Sequence, residues 1–321
     1  MTLGIVLVGR NEGARLVRAL AALEGVEARV VYVDSGSTDG SVAAARAAGA
    51  EVVELDTSRP FTAARARNAG FAQLEVGDAP EIVQFIDGDC ALVPGWLEAG
   101  QAALDADPDL GLVTGWRSEI HRDASIYNAL ADVEWHRPAG PITVCGGDVM
   151  VRADAFRQIG GFDPGLIAGE DEDFCLRLGA AGWKLLRLPR DMTRHDIAMT
   201  RFSEWWRRMV RAGHAFAEMG RRHPGHLAAE RRRVWMNMAA LALLAGGALA
   251  GLWPLVALGA GFFLLSYLRT AHGLMRAGQP PKEAAAHAGL LVLSKLPGFW
   301  GMLTYYRRAR AGQDAELIEY K

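Results

Sequence analysis

Phe85-Ile86-Asp87-Gly88-Asp89-Cys90 closes an apolar run, Glu81 to Phe85, that reads as a buried strand. Two carboxylates follow at once with only a glycine between them. Open α/β sheets place their ligands beyond the carboxyl ends of the strands. Two carboxylates one residue apart, on a backbone loosened by Gly88, can share a hard divalent cation that keeps its other sites for water and a phosphate. Asp-Gly is also ordinary turn chemistry, so the stretch by itself is equally a polar turn. The chain on either side of it decides.

Upstream, strand and helix alternate. Leu3 to Val8, Arg29 to Val33, Glu51 to Glu54 and residues 81–85 read as strands. Residues 11–24, 40–48 and 60–74 have helical spacing. This rhythm predicts an α/β fold with a mostly parallel sheet and helices on both faces. Right-handed crossovers then gather the ligand loops at one edge of the sheet. Downstream the rhythm loosens: a helix from Pro94 to about Leu104, a strand from Leu110 to Thr114, a loop running into a strand over residues 142–151, and a helix over 170–181.

The chain has 321 residues and a net charge of −2, so nucleic acid is not expected as the bulk partner. Cys90, Cys145 and Cys175 fit neither a disulfide framework nor paired metal-ligand spacing, and read as buried thiols. Leu3 to Val8 lacks the flanks of a secretory signal. Arg201 to Arg233 is rich in arginine, and Val234 to Leu268 carries no charged side chain. That is more than the ~20 residues one spanning helix needs. Gly251-Leu-Trp-Pro254 interrupts the run, which predicts a helical hairpin over about 234–250 and 254–269. One tilted span, or a buried pair of soluble helices, is the alternative. Arginines at both ends of the hairpin put the N-terminal domain on the cytoplasmic side. A third apolar stretch, His287 to Tyr306, is expected to be interfacial or re-entrant. In the amphipathic stretch 201–220, Trp205 and Trp206 suit either lipid headgroups or a sugar acceptor.

Four further clusters carry potential chemistry. Asp34, opening Asp34-Ser-Gly-Ser-Thr-Asp39, could hold a base or ribose edge, while Asp39 serves equally as a helix cap. In Ala66-Arg-Asn-Ala-Gly70, Arg67 could reach a phosphate or a base carbonyl, and Asn68 could tie loops together. Gly146-Gly147-Asp148 lets the backbone approach a ligand closely. Glu170-Asp171-Glu172-Asp173 opens a helix. Asp171 and Asp173 cannot share a helical face, so one suits a general base and the other, Asp173, an i,i+4 pair with Arg177.

In this order and spacing the clusters resemble the family 2 glycosyltransferases over about residues 3–200, from Val8-Gly-Arg-Asn-Glu12 through Asp87-Gly-Asp89 and Gly160-Gly-Phe-Asp163 to Arg177-Leu178. The resemblance implies a GT-A fold, a nucleotide-sugar donor, a divalent cation (Mg²⁺ or Mn²⁺) and inversion at the anomeric carbon. By position it implies donor contacts from Asp34, Arg67, Asp87, Gly147 and Asp148, and cation binding by Asp89. Asp171 would be the base. His195 falls where some members place a histidine near the diphosphate, and is either that ligand or a structural histidine. The pattern departs at Gly9, often proline in the family, and at Asp34-Ser35, commonly Asp-Asp.

The expectation is therefore a catalytic domain over 1–200, a basic membrane-surface segment over 201–233 and membrane-associated helices over 234–321. The enzyme would act at a bacterial inner membrane, facing the cytoplasm, on a lipid-linked or cell-surface glycan acceptor. A sugar-phosphate nucleotidyltransferase would share the sheet and cation but open on a basic glycine-rich loop, which Gly9-Arg10-Asn11-Glu12 is not. A non-catalytic glycan-binding scaffold would not need Asp87, Asp89 and Asp171 intact.

Overall fold

The computed structural model describes residues 1–312. The chain divides into two compact units, Met1–Ala198 and a second beginning at Met199.

The first unit runs β1 (Leu3–Gly9), α1 (Ala14–Ala21), β2 (Arg29–Asp34), α2 (Ser41–Ala47), β3 (Glu51–Glu54), α3 (Ala63–Leu74), β4 (Ile82–Asp87), β5 (Cys90–Leu92), α4 (Trp96–Ala106), β6 (Leu110–Glu119), α5 (Ile126–Trp135), β7 (Gly140–Pro141), β8 (Val149–Arg152), α6 (Ala153–Gln158), α7 (Glu170–Ala180) and β9 (Lys184–His195). One sheet forms in the order β3-β2-β1-β4-β8-β6-β9-β5, with β7 also paired to β9. The β3-β2-β1-β4 half is parallel, as the apolar runs predict. The other half is mixed: β8 runs antiparallel to both β4 and β6, while β6 and β9 are parallel.

Side chains alternate across a strand, and both faces of this sheet are covered. Val6 and Val8 of β1, with Phe85 of β4, pack on one face against Ala66 and Phe71 of α3 and Phe174 of α7. Ile5 and Leu7 of the same strand face the other way, onto Leu16 of α1 and Trp96 of α4. A strand apolar on both faces gives the uninterrupted Ile5-Val-Leu-Val8 run. Gly70 lets α3 approach the sheet, because a Cβ there would collide with Val6. In register, Val8 of β1 lies opposite Asp87 of β4, and Gly9 opposite Asp34 of β2. Asp34 and Asp87 therefore stand at the same edge on either side of β1, about 10 Å apart at the usual strand spacing.

The second unit consists of α8 (Phe202–Arg222), α9 (Ala228–Leu249), α10 (Trp253–Arg276), α11 (Pro281–Leu293) and α12 (Lys295–Ala311). Helices α9 and α10 form the hairpin, packed closely where Gly259 meets the Ala240 carbonyl and Leu244. Each extends past one end of the uncharged run, and α9 starts among Glu230 and three arginines. Among the described residues α10 alone is long and apolar enough to cross a membrane. It leaves Trp253, Leu258, Leu264, Leu265 and Leu268 exposed.

Two sequence expectations change here. Residues 287–306 are not one segment: the chain divides at Ser294 into α11 and α12, and Pro297 falls in the first turn of α12, where its missing N–H costs nothing. Helix α12 lies against α8 at backbone contact distance, with Gly213 beside Gly298 and Gly301 beside the Val210 carbonyl. Trp205 is fully buried, its ring 5.4 Å from that of Phe202, so it faces neither headgroups nor an acceptor.

Charge also divides. The first unit carries 30 acidic and 18 basic side chains, the second 7 acidic and 17 basic, which the overall value of −2 conceals.

Candidate active site

The Asp87-Gly88-Asp89 backbone is pinned to the end of β1. The Gly88 N–H donates to the Val8 carbonyl at 2.8 Å. A Cβ on Gly88 would come within 3.2 Å of that oxygen and 3.1 Å of Glu12 Cγ, so the glycine is required by packing as well as by the turn.

Asp87 sits in a chain of alternating charges. Its Oδ1 accepts from Arg67 Nη2 at 2.7 Å, and its Oδ2 from Arg117 Nη2 at 3.1 Å. Arg67 Nη1 also donates to Glu170 Oε1 at 3.0 Å, and Arg117 Nη2 lies 2.7 Å from Asp148 Oδ2. Asp148 accepts the Asp87 N–H and the Thr193 hydroxyl, both at 2.9 Å. Helices α3 and α7, strands β4, β6 and β9 and the residue before β8 thus meet at one charged seam. Burial would raise the Asp87 carboxyl, but Arg67 and Arg117 outweigh it and hold it well below the usual range. Arg67 is buried, its guanidinium 5.3 Å from the centre of the Phe162 ring. It also explains Gly147, where a Cβ would strike the Arg67 guanidinium.

Asp171 experiences the opposite field. It lies in the first turn of α7, which starts after Gly169 in the left-handed region (φ 80°). Burial and the charges of Glu170 and Glu172 raise its carboxyl to about 7, against an opposing pull from Arg67 and the Glu172 N–H. Its carboxylate lies beside the Gly146 backbone, since a Cβ on Gly146 would stand 3.8 Å from Asp171 Oδ2. Asp173 is taken by structure: Arg177 Nε donates to it at 2.7 Å while Nη1 ties the Ile159 carbonyl. Asn68 clamps the Phe162 backbone through both its N–H and its carbonyl.

Asp89 and His195 form a second centre. Strand β5 folds back onto β9, which brings His195 Nε2 within 3.3 Å of Asp89 Oδ2, with both side chains buried. His195 Nδ1 is 3.3 Å from Glu119 Oε2. Burial pushes the imidazole down, opposed by Glu119. Asp89, Cys90 and His195 offer ligand atoms within 4.8 Å of one another. Burial raises the Cys90 thiol well above its usual value. The Asp89 carboxylate oxygen and the His195 imidazole nitrogen fit a divalent cation such as Mn²⁺ or Mg²⁺.

Asp34 is not in contact with this group. Its Oδ2 accepts from Gly36 N and Ser37 N at 2.9 and 2.8 Å, and its Oδ1 from the Tyr32 hydroxyl at 3.1 Å. It shapes the loop after β2 at the same sheet edge. The structure thus joins Arg67, Asp87, Gly147, Asp148 and Asp171 in one cluster and Asp89 with His195 beside it, with Asp34 apart. Arg117, Glu119 and Glu170 escaped the sequence reading. Glu170 stood within the acidic run, but nothing in Trp116-Arg-Ser-Glu119 marks it as more than a polar strand end.

Known proteins resemble this chain in sequence and fold. The model for "Glycosyl transferase family 2" matches residues 5–150, and that for "Glycosyl transferase family group 2" matches residues 82–292, about two thirds of the chain. The chain belongs to the family 2 glycosyltransferases. A pre-mycofactocin glycosyltransferase of Mycobacterium tuberculosis is 30% identical over 280 residues, 82% of this chain and 54% of that protein. The chain therefore spans about half the length of that relative. An N-acetylglucosaminyl-diphospho-decaprenol L-rhamnosyltransferase of the same organism is 29% identical over 271 residues, 65% of this chain and 88% of that protein. Among solved structures, a mannosyltransferase from Pyrobaculum calidifontis in complex with GDP-Man and Mn²⁺ superposes with a TM-score of 0.62 at 20% identity, covering 93% of this chain and 87% of that one. The fold of this family member is GT-A.

Proposed function

We propose that this glycosyltransferase-family chain transfers a sugar, with inversion, from a nucleoside diphosphate donor to the hydroxyl of a lipid-linked or cell-surface glycan acceptor. One observation carries the reading: neighbouring carboxyls in one cluster are driven apart in acidity, Asp87 well below the usual range and Asp171 up to about 7. Such a divergence separates a permanently charged group from an acid–base group. Asp171 is the base. At neutral pH it is partly ionised and able to take the proton of an acceptor hydroxyl as that oxygen attacks the anomeric carbon. One displacement inverts the centre, and no covalent intermediate is needed.

Asp89 and His195 would hold the divalent cation, which would supply Lewis-acid stabilisation of the departing diphosphate. Asp87, fixed by Arg67 and Arg117, presents an ionised carboxylate towards the ribose. Gly147 and Asp148 line the donor side. Asp34 shapes the loop that receives the base.

The lipid-linked acceptor is favoured by the second unit. An exposed apolar helix beside a strong positive excess suits an anionic bilayer surface, and one relative is named for a decaprenol-linked substrate. Positive charge at both ends of the hairpin supports a location on the cytoplasmic face of a bacterial inner membrane. Thermal shift of the detergent-purified protein with a panel of nucleoside diphosphate sugars, with and without Mn²⁺, tests the donor. A cation-dependent shift with one donor is expected, and no shift with any donor would overturn the reading.

A further inference from the structure

We propose that Glu119 is a positioning residue for the cation site: it fixes the His195 ring so that Nε2 is presented, beside Asp89, as a nitrogen ligand. This rests on the reading of Asp89 and His195 as the cation's holders.

Glu119 ends β6 directly opposite His195 in the β6–β9 register. Its side chain has no exposure to solvent. A sealed carboxylate is costly unless its lone pairs are used, and here both oxygens are. Oε2 accepts from Ile197 N at 3.0 Å and lies 3.3 Å from His195 Nδ1, while Oε1 accepts from His121 N at 3.1 Å. The Glu119 N–H is itself tied to Asp132 Oδ1 at 2.8 Å. The carboxylate is thus fixed by two backbone N–H groups and turned towards one imidazole nitrogen.

The ring has little freedom to turn elsewhere. Trp135 packs against it in a T-shaped contact, 4.6 Å between centroids, and Trp135 is in turn placed near Arg117, 5.5 Å from its ring centre. When Nδ1–H is given to Glu119, the lone pair of the neutral ring lies on Nε2, the atom 3.3 Å from Asp89 Oδ2. A carboxylate behind a ligating histidine fixes the tautomer and raises the basicity of the ligand nitrogen. A nitrogen donor also tilts the site towards transition ions and away from Mg²⁺. In this chain Glu119 therefore sets both affinity and preference for Mn²⁺.

The test is Mn²⁺ binding by electron paramagnetic resonance on the full chain in detergent, with Mn²⁺ alone and with UDP or GDP added. Pulsed detection of ¹⁴N coupling reports an imidazole on the ion. Wild type is expected to bind Mn²⁺ with ¹⁴N coupling, and His195→Ala to lose the coupling. Glu119→Gln, which keeps size and removes charge, should weaken Mn²⁺ binding by about 10–100-fold. If Glu119→Gln does not fold, Glu119→Asp keeps the carboxylate but withdraws it from the ring, and the same weakening is expected. Binding and coupling unchanged in the folded variant would overturn the role of Glu119. Wild-type binding that depends on Asp89 but shows no ¹⁴N coupling would also overturn it, leaving the cation reading intact. Failure of wild type to bind Mn²⁺ under any of these conditions would remove both.

Discussion

Asp87 and Asp171 both lie in the field of the Arg67 guanidinium, yet their acidities move in opposite directions. Asp87 has a second arginine, Arg117, at 3.1 Å. Asp171 has two more acids, Glu170 and Glu172, as its neighbours in the chain. Arg67 spends one N–H on Asp87 and another on Glu170, and gives Asp171 only its longer-range charge. This difference in neighbours separates the two roles proposed for them.

The transfer rate should therefore follow the ionisation of Asp171. Below about pH 7 the base is protonated, and kcat should fall about tenfold per pH unit towards acid. Asp171→Asn should abolish this limb, lower kcat by about 10²–10⁴-fold and leave donor binding intact. Steady-state rates across pH, with calorimetric donor titration of the variant, check both. Near-normal turnover in Asp171→Asn would exclude the residue as base.

The same group should cost stability. Its folded-state value of about 7 exceeds the ~3.9 of an unperturbed aspartate, so the folded chain retains a proton that the unfolded chain releases. Stability attributable to Asp171 is then greatest below pH 4, declines as pH rises from 4 to 7, and stays low above that. Asp171→Asn should raise the unfolding temperature at pH 8 and leave it nearly unchanged at pH 4. Melting curves at the two pH values decide.

The charged seam should tolerate no single deletion. Arg117→Met leaves Asp87 and Asp148 facing each other without their shared cation, and breaking a buried pair costs about 3–5 kcal/mol. Denaturant unfolding of the detergent-solubilised protein measures this loss. A change below about 1 kcal/mol, in the range of a surface pair, would show the seam to be solvated.

Membrane attachment should need both apolar and basic features of the second unit. Leu264→Glu with Leu265→Glu on the exposed face of α10 should weaken flotation with all vesicles. Replacing Arg207, Arg232 and Arg233, all exposed, by serine should weaken binding to phosphatidylglycerol vesicles and spare neutral ones. Equal loss on both vesicle types in the arginine variant would refute an electrostatic contribution.

The parallel half of the sheet was legible because each strand is a short apolar run ending in a polar loop. Asp34, Asp87 and Asp89 mark those ends, and the acids of α7 announce themselves by their number. Strand β9 was not legible. Arg187, Pro189, Arg190, Asp191 and Arg194 interrupt its alternation, and its pairing with β6 shifts register repeatedly. Strand β6 was read only to Thr114, because Trp116-Arg-Ser-Glu119 looks like a departing loop. Its polar side chains are buried against other charges, and no local pattern reports a partner 30 or 76 residues away. Arg117 and Glu119 were therefore visible only once β4, β6 and β9 were assembled. Trp205 looked interfacial because its neighbours are arginines, but its side chain is fully buried.

Product analysis distinguishes sugar transfer from nucleotidyl transfer and from mere binding. Detergent-purified protein is given each of several nucleoside diphosphate sugars with a membrane lipid extract, with Mn²⁺ or with chelator, alongside Asp171→Asn. Cation-dependent release of a nucleoside diphosphate from one donor, with the sugar recovered on lipid and both absent in the variant, is the expected result. Release of pyrophosphate, or lipid glycosylation undiminished in Asp171→Asn, would contradict it.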